Sequence, residues 1–446
     1  MIHGSLADKI LLFALPLAAT ALLQQLFNSA DIAVVGRFAS SEAMAAVGST
    51  ASVIGLLVSL FMGISVGANV VVANLIGADR REKINEAVHT IMTLGLLIGI
   101  LLLFLGFFLA RPILTMMGAP ENVMELAILY LRIYFMAMPG IMTFNFGSAV
   151  LRSKGDSKRP LLALTLSGVF NVILNVILVV FFHLHVIGVG TATVVSNYIS
   201  AGLVLYFLMT EEPTFKFEIK KMCMRKEYLS NVIKIGVPAG IQGMVFSFSN
   251  VMIQSTINGF GSNAIAGSTA AQNLEFMSYC IINSFAQTAV TFTSQNCAAG
   301  DIDRCKKVYR YSNIFGLGID VLFVAFIIIF RYPVLSIFTT DPAVMEYAII
   351  RIMYDCLFHY LTGTYEISAG CLRGMGHSLM PAMISICGTC VFRLFWVFAF
   401  VPMHHEFYIL MLVYPISWVL TGTVMTTVYF VTRRKVFATL RGNKAI

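Results

Sequence analysis

Charge is what this sequence has least of. Only 12% of its 446 residues are Asp, Glu, Lys or Arg, against 58% that are hydrophobic, and the mean hydropathy is +0.84. A soluble domain carries about twice that share of charge. The composition therefore excludes a soluble globular protein and indicates an all-α polytopic membrane protein. Cysteine is missing from the first 222 residues, and the eight cysteines of the second half fall mostly in apolar runs. That is no disulfide framework. Cys387 and Cys390 stand as a CxxC on an apolar stretch without other ligands nearby, so they read as small packing residues and no metal site is expected. Walker A, GxGxxG and HExxH patterns are also absent, which leaves an ATP-driven pump or a membrane protease without support. No cofactor and no catalytic residue is expected. The opening carries a lone Lys9 and no small-residue cleavage pattern, so the first apolar run is read as a retained span.

Long apolar runs are what the chain has in abundance. A bilayer crossing takes roughly 20 mostly apolar residues. The runs predict twelve spans, near 10–35, 44–74, 88–110, 126–150, 160–182, 187–209, 230–258, 264–297, 311–330, 346–371, 382–402 and 407–431. Those at 44–74 and 264–297 exceed a straight crossing, so tilt or bending is expected. Of the 30 Lys and Arg, 24 lie in the N-terminus, the loops after even-numbered spans and the C-terminal tail. The positive-inside rule then predicts a cell (plasma) membrane protein with both termini cytoplasmic. The net charge of +8 calls for no nucleic-acid partner, because these cations meet the anionic inner leaflet of the bilayer.

The sequence also repeats itself. Pro16, Asn28, Asn74 and Asp79 recur 222 positions later as Pro238, Asn250, Asn296 and Asp301. Pro112, Arg152, Gly155, Ser157 and Pro160 recur after 221 positions as Pro333, Arg373, Gly376, Ser378 and Pro381. An order-preserving series of this length indicates duplication. Each copy holds an even number of spans, so both insert the same way round, related by an axis along the membrane normal. The expected lobes are residues 1–209 and 230–446, joined by a polar, basic linker at 210–229.

The candidate site residues begin with Asp31, the only acid between Ile10 and Val35. Thr20, Gln24, Asn28 and Asp31 recur at spacings of four, four and three, a polar stripe on one helical face. A carboxylate inside a membrane helix costs at least about 2.5 kcal/mol on insertion scales, so it normally faces a bundle interior and marks an ion or substrate path. The alternative is a helix that ends near Asn28, leaving Asp31 interfacial. Asn171 and Asn175 share a face of the fifth span, and Thr193 and Asn197 a face of the sixth. Around one carboxylate such groups make a proton or Na⁺ site; otherwise they bond helix to helix, each worth roughly 0.6 kcal/mol. In the second half, Ile253 stands near the position of Asp31. Its polar residues are Glu275, Tyr279, Asn283 and Gln287 on the eighth span, Asp320 on the ninth, Asp355, His359, Thr362 and Glu366 on the tenth, and Arg393 on the eleventh. An Arg within reach of two Glu is either a structural ion pair or part of a cavity that attracts cations.

Three motifs resemble those of the multidrug and toxic compound extrusion (MATE) family: SADIAVVGRFASSEAMAAVG, ANLIGADR with its echo SQNCAAGD, and the paired LRSKGDSKRP and LRGMGHSLMP. The resemblance runs from Ile10 to Arg434. It implies twelve helices in two six-helix bundles with a V-shaped cavity, and export of cationic amphipathic compounds in exchange for H⁺ or Na⁺. By motif, Asp31 matches the family's first-span acid, Asn171 the first residue of its fifth-span N-x-x-x-D, and Thr193 its sixth-span threonine. Asn175 departs from that pattern, where many members have Asp. With one acid in the first lobe, H⁺ is the expected coupling ion, since a dehydrated Na⁺ is helped by more than one carboxylate. The expected partners are small cationic substrates and the bilayer, and the expected state is a monomer. The rival expectation is a lipid-linked oligosaccharide flippase of the same superfamily, but the spans carry more acids than arginines.

Overall fold

In hydrocarbon each backbone polar group must be bonded within the protein, so an apolar chain of this kind can cross only as helices. The computed structural model describes residues 1–38, 41–116, 121–404 and 406–444, which leaves Ala39 and Ser40 of the first motif outside. Among the described residues there is no strand, and the helices follow one another as twelve passes. The first six are Leu6–Phe38, Ser41–Gly77, Arg81–Met116, Glu121–Met136 with Met138–Lys154, Lys158–Asn175 running into a π-helical turn at Val176–Phe181, and His185–Met209. The last six are Lys226–Asn258, Ser262–Ala298, Ile302–Ile329, Pro342–Tyr354 with Tyr360–Gly374, Leu379–Ser385 continued through π-helical Ile386–Val391 to Phe392–Ala399, and Phe407–Met411 with Val413–Lys444. The fourth pass bends by 42° between its halves. Among the described residues nine helices are long and apolar enough to span a membrane, ten with the bent fourth pass. The eighth is long enough but too polar, with Glu275 and Asn283 among its residues, and the tenth is split into helices of 13 and 15 residues. The last helix runs well past 431 because Arg433, Arg434 and Lys435, good helix formers, continue it beyond the apolar run.

The turns explain the repeated motifs. Gly155 and Gly376 occupy the same place in the two copies, each just after a helix end and each with positive φ, 107° and 85°. Glycine alone takes that conformation without a Cβ penalty, and the Gly155 N–H closes the helix onto Arg152 and Leu151 carbonyls.

Packing divides the chain at places other than the linker. One compact unit comprises residues 19–240 and the other residues 1–18 with 241–446. The expected lobes, 1–209 and 230–446, follow the sequence repeat, whereas packing groups residues 1–18 with 241–446 and the first part of the seventh helix with residues 19–225. Each helix changes unit two residues after a proline of the repeat, Pro16 or Pro238. A proline removes one bond of the helical ladder, so the helix can yield there. In the second unit Leu6, Ile10, Phe13 and Leu17 are buried with Ile253, Phe285 and Phe292, the Phe13 and Phe292 rings meeting edge to face at 5.6 Å. In the first, Gly63 and Gly67 of the second helix meet Gly236 and Gly240 of the seventh. A Cβ on Gly63 would come within 2.2 Å of the Gly240 backbone, and one on Gly67 within 2.3 Å of the Val232 carbonyl. This is a pair of facing G-x-x-x-G segments, the arrangement that lets membrane helices touch backbone to backbone.

Candidate functional site

Asp31 lies near the end of the first helix, and the fifth and sixth helices of the same unit bring amides and hydroxyls to it. Asn175 Nδ2 donates to Asp31 Oδ1 at 2.5 Å and lies 3.2 Å from Asn171 Oδ1. Asn171 Nδ2 reaches Ser196 Oγ at 3.4 Å. Thr193 Oγ1 is 3.3 Å from Asp31 Oδ2 and 3.0 Å from the Val189 carbonyl. Asn171, Asn175, Thr193 and Ser196 are all buried, while Asp31 keeps partial exposure. The fifth helix leaves α geometry immediately after Asn175, and π-helical turns of this kind recur at functional sites.

Two details bear on what this arrangement can hold. The Thr193 hydroxyl has a single hydrogen, so it can serve the Val189 carbonyl or Asp31, not both at once. Asn175 Oδ1 is buried and accepts no hydrogen bond. The cluster thus offers a carboxylate with an incompletely bonded Oδ2 beside an orphaned oxygen. A proton on Asp31 Oδ2 would let it donate to Thr193 Oγ1 while Thr193 keeps its bond to Val189. Tyr130 and Tyr134 of the fourth helix lie close enough to sense the Asp31 charge, and no sequence spacing pointed to them. Gln24 and Asn28, on the same stripe as Asp31, are exposed. Asn197 is drawn away as well, its side chain donating to the Thr193 carbonyl one turn back, at 2.8 Å.

The second unit corrects the sequence reading. The partner of Glu275 is Arg351, whose Nη2 donates to it at 2.8 Å, and not Arg393. Arg393 is buried with its Nε on Ser417 Oγ at 3.3 Å, its guanidinium 4.5 Å from the Tyr414 ring centre and 6.0 Å from that of Trp418. The long polar stripe expected on the tenth helix is interrupted, because the helix stops at Tyr354 and resumes at Tyr360. His359 sits at that break, its Nδ1 2.7 Å from Ser278 Oγ and 3.3 Å from Asp320 Oδ2. Glu366 stands apart, close to Tyr279 and within electrostatic reach of Arg373. Tyr279 is exposed and Asn283 half-buried on the unbroken eighth helix.

The MatE family model matches the chain twice, over residues 16–177 and 238–398. The two matches start and end in step with the 222- and 221-residue spacing of the repeat. The probable multidrug resistance protein YoeA of Bacillus subtilis is 30% identical over 382 residues, 84% of this chain and 82% of that protein. A FAD transporter of Shewanella oneidensis is 25% identical over 369 residues, 81% of this chain and 80% of that protein. A crystal structure of MATE in the bent conformation superposes with a TM-score of 0.88 at 24% identity, covering 99% of this chain and 98% of that one. Twelve helical passes, a duplicated sequence and a family model matched once in each copy lead to one conclusion: the chain belongs to the multidrug and toxic compound extrusion family, MatE, of multi-pass membrane transporters, and is not an enzyme.

Proposed function

We propose that this transporter is a secondary active antiporter that exports cationic amphipathic compounds in exchange for protons, with Asp31 as the exchanging group. The observation that carries the reading is the unfinished bonding at Asp31 Oδ2, where one added proton satisfies Asp31 and Thr193 together. Asp31 is the only acid that touches this group of amides and hydroxyls among the described residues, which favours a proton over a dehydrated Na⁺. Exchange follows if proton and drug favour opposite-facing states, because a ligand moves a conformational equilibrium only through differential affinity. We place both termini and the linker in the cytoplasm on the charge bias, and take the working unit to be a monomer.

Uptake of a fluorescent cationic dye into inverted vesicles tests the coupling. An imposed pH gradient is expected to drive it in the wild type and not in Asp31→Asn at equal expression; normal transport by that variant refutes the assignment. Uptake driven by a Na⁺ gradient alone at fixed pH refutes the choice of ion, and transport of FAD in place of the dye refutes the charge class of the cargo. Orientation is checked separately in a cysteine-free background. A cysteine at Thr340 should react with an impermeant thiol reagent in intact cells and one at Thr439 should not.

A further inference from the structure

The linker between the sixth and seventh helices is strapped across the start of the third helix, all within the unit of residues 19–240. Phe215 and Phe217 sink into the apolar core of that unit. Asn85, Glu86, His89 and Thr90 lie three or four residues apart in succession, so they present one helical face to the strap. Asn85 Nδ2 donates to the Pro213 and Lys216 carbonyls, each at 2.9 Å. The Glu218 N–H donates to His89 Nε2 at 3.0 Å, and the Arg225 N–H to Thr90 Oγ1 at 3.2 Å. The Phe217 ring stands 5.3 Å from the imidazole, centre to centre.

His89 is only 1% exposed, and both of its ring nitrogens are committed. Nδ1 lies 2.7 Å from the Asn85 carbonyl. A carbonyl only accepts and a backbone N–H only donates, so Nδ1 carries the ring hydrogen and Nε2 is bare. A neutral imidazole can meet both partners. A protonated ring has two donors, and its Nε2–H would face the Glu218 N–H, leaving both hydrogens without an acceptor. The charges around the ring are otherwise engaged. On the third helix Glu86 pairs with Arg225 at 3.1 Å, and Lys83 faces Glu227 of the seventh helix at 4.0 Å. On the linker Glu218 pairs with Lys221 at 3.0 Å and feels Lys216. At the end of the fourth pass Lys154 holds Glu211 at 2.7 Å and Glu212 at 2.6 Å. Among the described residues no carboxylate comes within 4.0 Å of a His89 nitrogen, so none is placed to hold a charged ring in the docked position.

We infer that His89 is a pH-sensitive latch for the linker. Neutral His89 holds the Glu218 N–H; acid on the linker's side of the membrane protonates the ring and releases the strap around the 3₁₀ turn Ile219–Lys221. Asn85 and Thr90 do not titrate, and the ion pairs toward the two ends of the linker stay charged near neutral pH, so release is confined to the middle of the strap. The strap leads directly into the seventh helix, which gives transport a response to pH that does not pass through Asp31. Linkage sets its size. Docking that excludes the protonated ring weakens about tenfold for each pH unit below the value, near about 6.5, at which a solvated imidazole takes up its proton.

Hydrogen–deuterium exchange of the purified full-length protein tests this at about pH 7.5 and about pH 5.5, with labelling times scaled to the intrinsic exchange rate at each. Protection of peptides covering 214–221 is expected to fall about tenfold at the lower pH, while peptides covering 302–329 keep theirs. His89→Gln retains an acceptor oxygen and takes up no proton, so its linker should be equally protected at both values. Glu218→Gln removes the neighbouring carboxylate and should keep the wild-type response. The wild-type comparison needs no variant, so it stays decisive even where His89→Gln folds poorly: equal protection at the two pH values overturns the proposal. A fall that persists in His89→Gln, or one that Glu218→Gln abolishes, overturns it as well.

Discussion

One hydroxyl hydrogen faces two acceptors beside Asp31. Thr193 cannot serve its own helix and the carboxylate together, and a hydrogen bond to a charged group contributes about 1.5–3 kcal/mol. Under the proposed proton coupling, Thr193→Val is expected to slow dye transport by roughly tenfold, since about 1.4 kcal/mol is a factor of ten, with Thr193→Ser restoring it; initial rates in inverted vesicles check this. Outside the spans, Glu211 is caught between Lys154 and Arg159. Burial pushes its carboxyl up, but hydrogen bonds and charge from the two cations outweigh burial and hold it below the usual carboxylate range. A depressed value means stability that is present above the unfolded pKa and lost as pH falls through the folded one. Glu211→Gln should thus lower the melting temperature at pH 7, with the difference from wild type shrinking as the pH is taken below about 4. At this scale the meeting of Asn171, Asn175 and Thr193 around Asp31 was legible in the spacing, because membrane helices keep polar residues on one face. The sequence hid Arg351, one of the six Lys and Arg outside the basic loops and termini. Its spacing of four from Asp355 was the available signal.

The facing G-x-x-x-G segments of the second and seventh helices have no space for a side chain, whereas Gly55, two turns earlier on the second helix, has nothing within 4 Å of an added Cβ. Overpacking costs about 1–3 kcal/mol even where side chains can shift, and backbone atoms cannot give way so easily. Gly63→Leu and Gly236→Leu are expected to lower thermal stability in detergent, seen as loss of the monodisperse peak on heating, while Gly55→Leu behaves as wild type. Both segments can be read in the sequence as glycines four apart. The glycine turns of the repeated motifs were equally legible, because only glycine suits their positive φ. The break at 355–359 was not. Its residues, Asp-Cys-Leu-Phe-His, include neither proline nor glycine, so no local signal marks the place.

The molecule as a whole is a duplication whose two compact units exchange a piece of helix at the same point of the repeat. Span number and repeat were visible in hydropathy and spacing, but the exchange was not, since residues 1–18 look like the beginning of any first span. Phe13 gives the test. Truncating a buried Phe costs about 3–5 kcal/mol, and its ring packs on Phe292 of the other stretch of its unit. Phe13→Ala should raise protease cleavage in the 336–342 connection of its own unit and leave cleavage at 210–225 unchanged. The exchange also sets a timetable for synthesis. At about 5–20 residues per second, the segment 1–18 leaves the ribosome roughly 10–45 seconds before residue 241 follows it. The unit built from 19–240 can close during that interval, but the first segment belongs elsewhere and must wait beside it, apolar and unmatched. Early misassembly and chaperone engagement should therefore concentrate on residues 1–18.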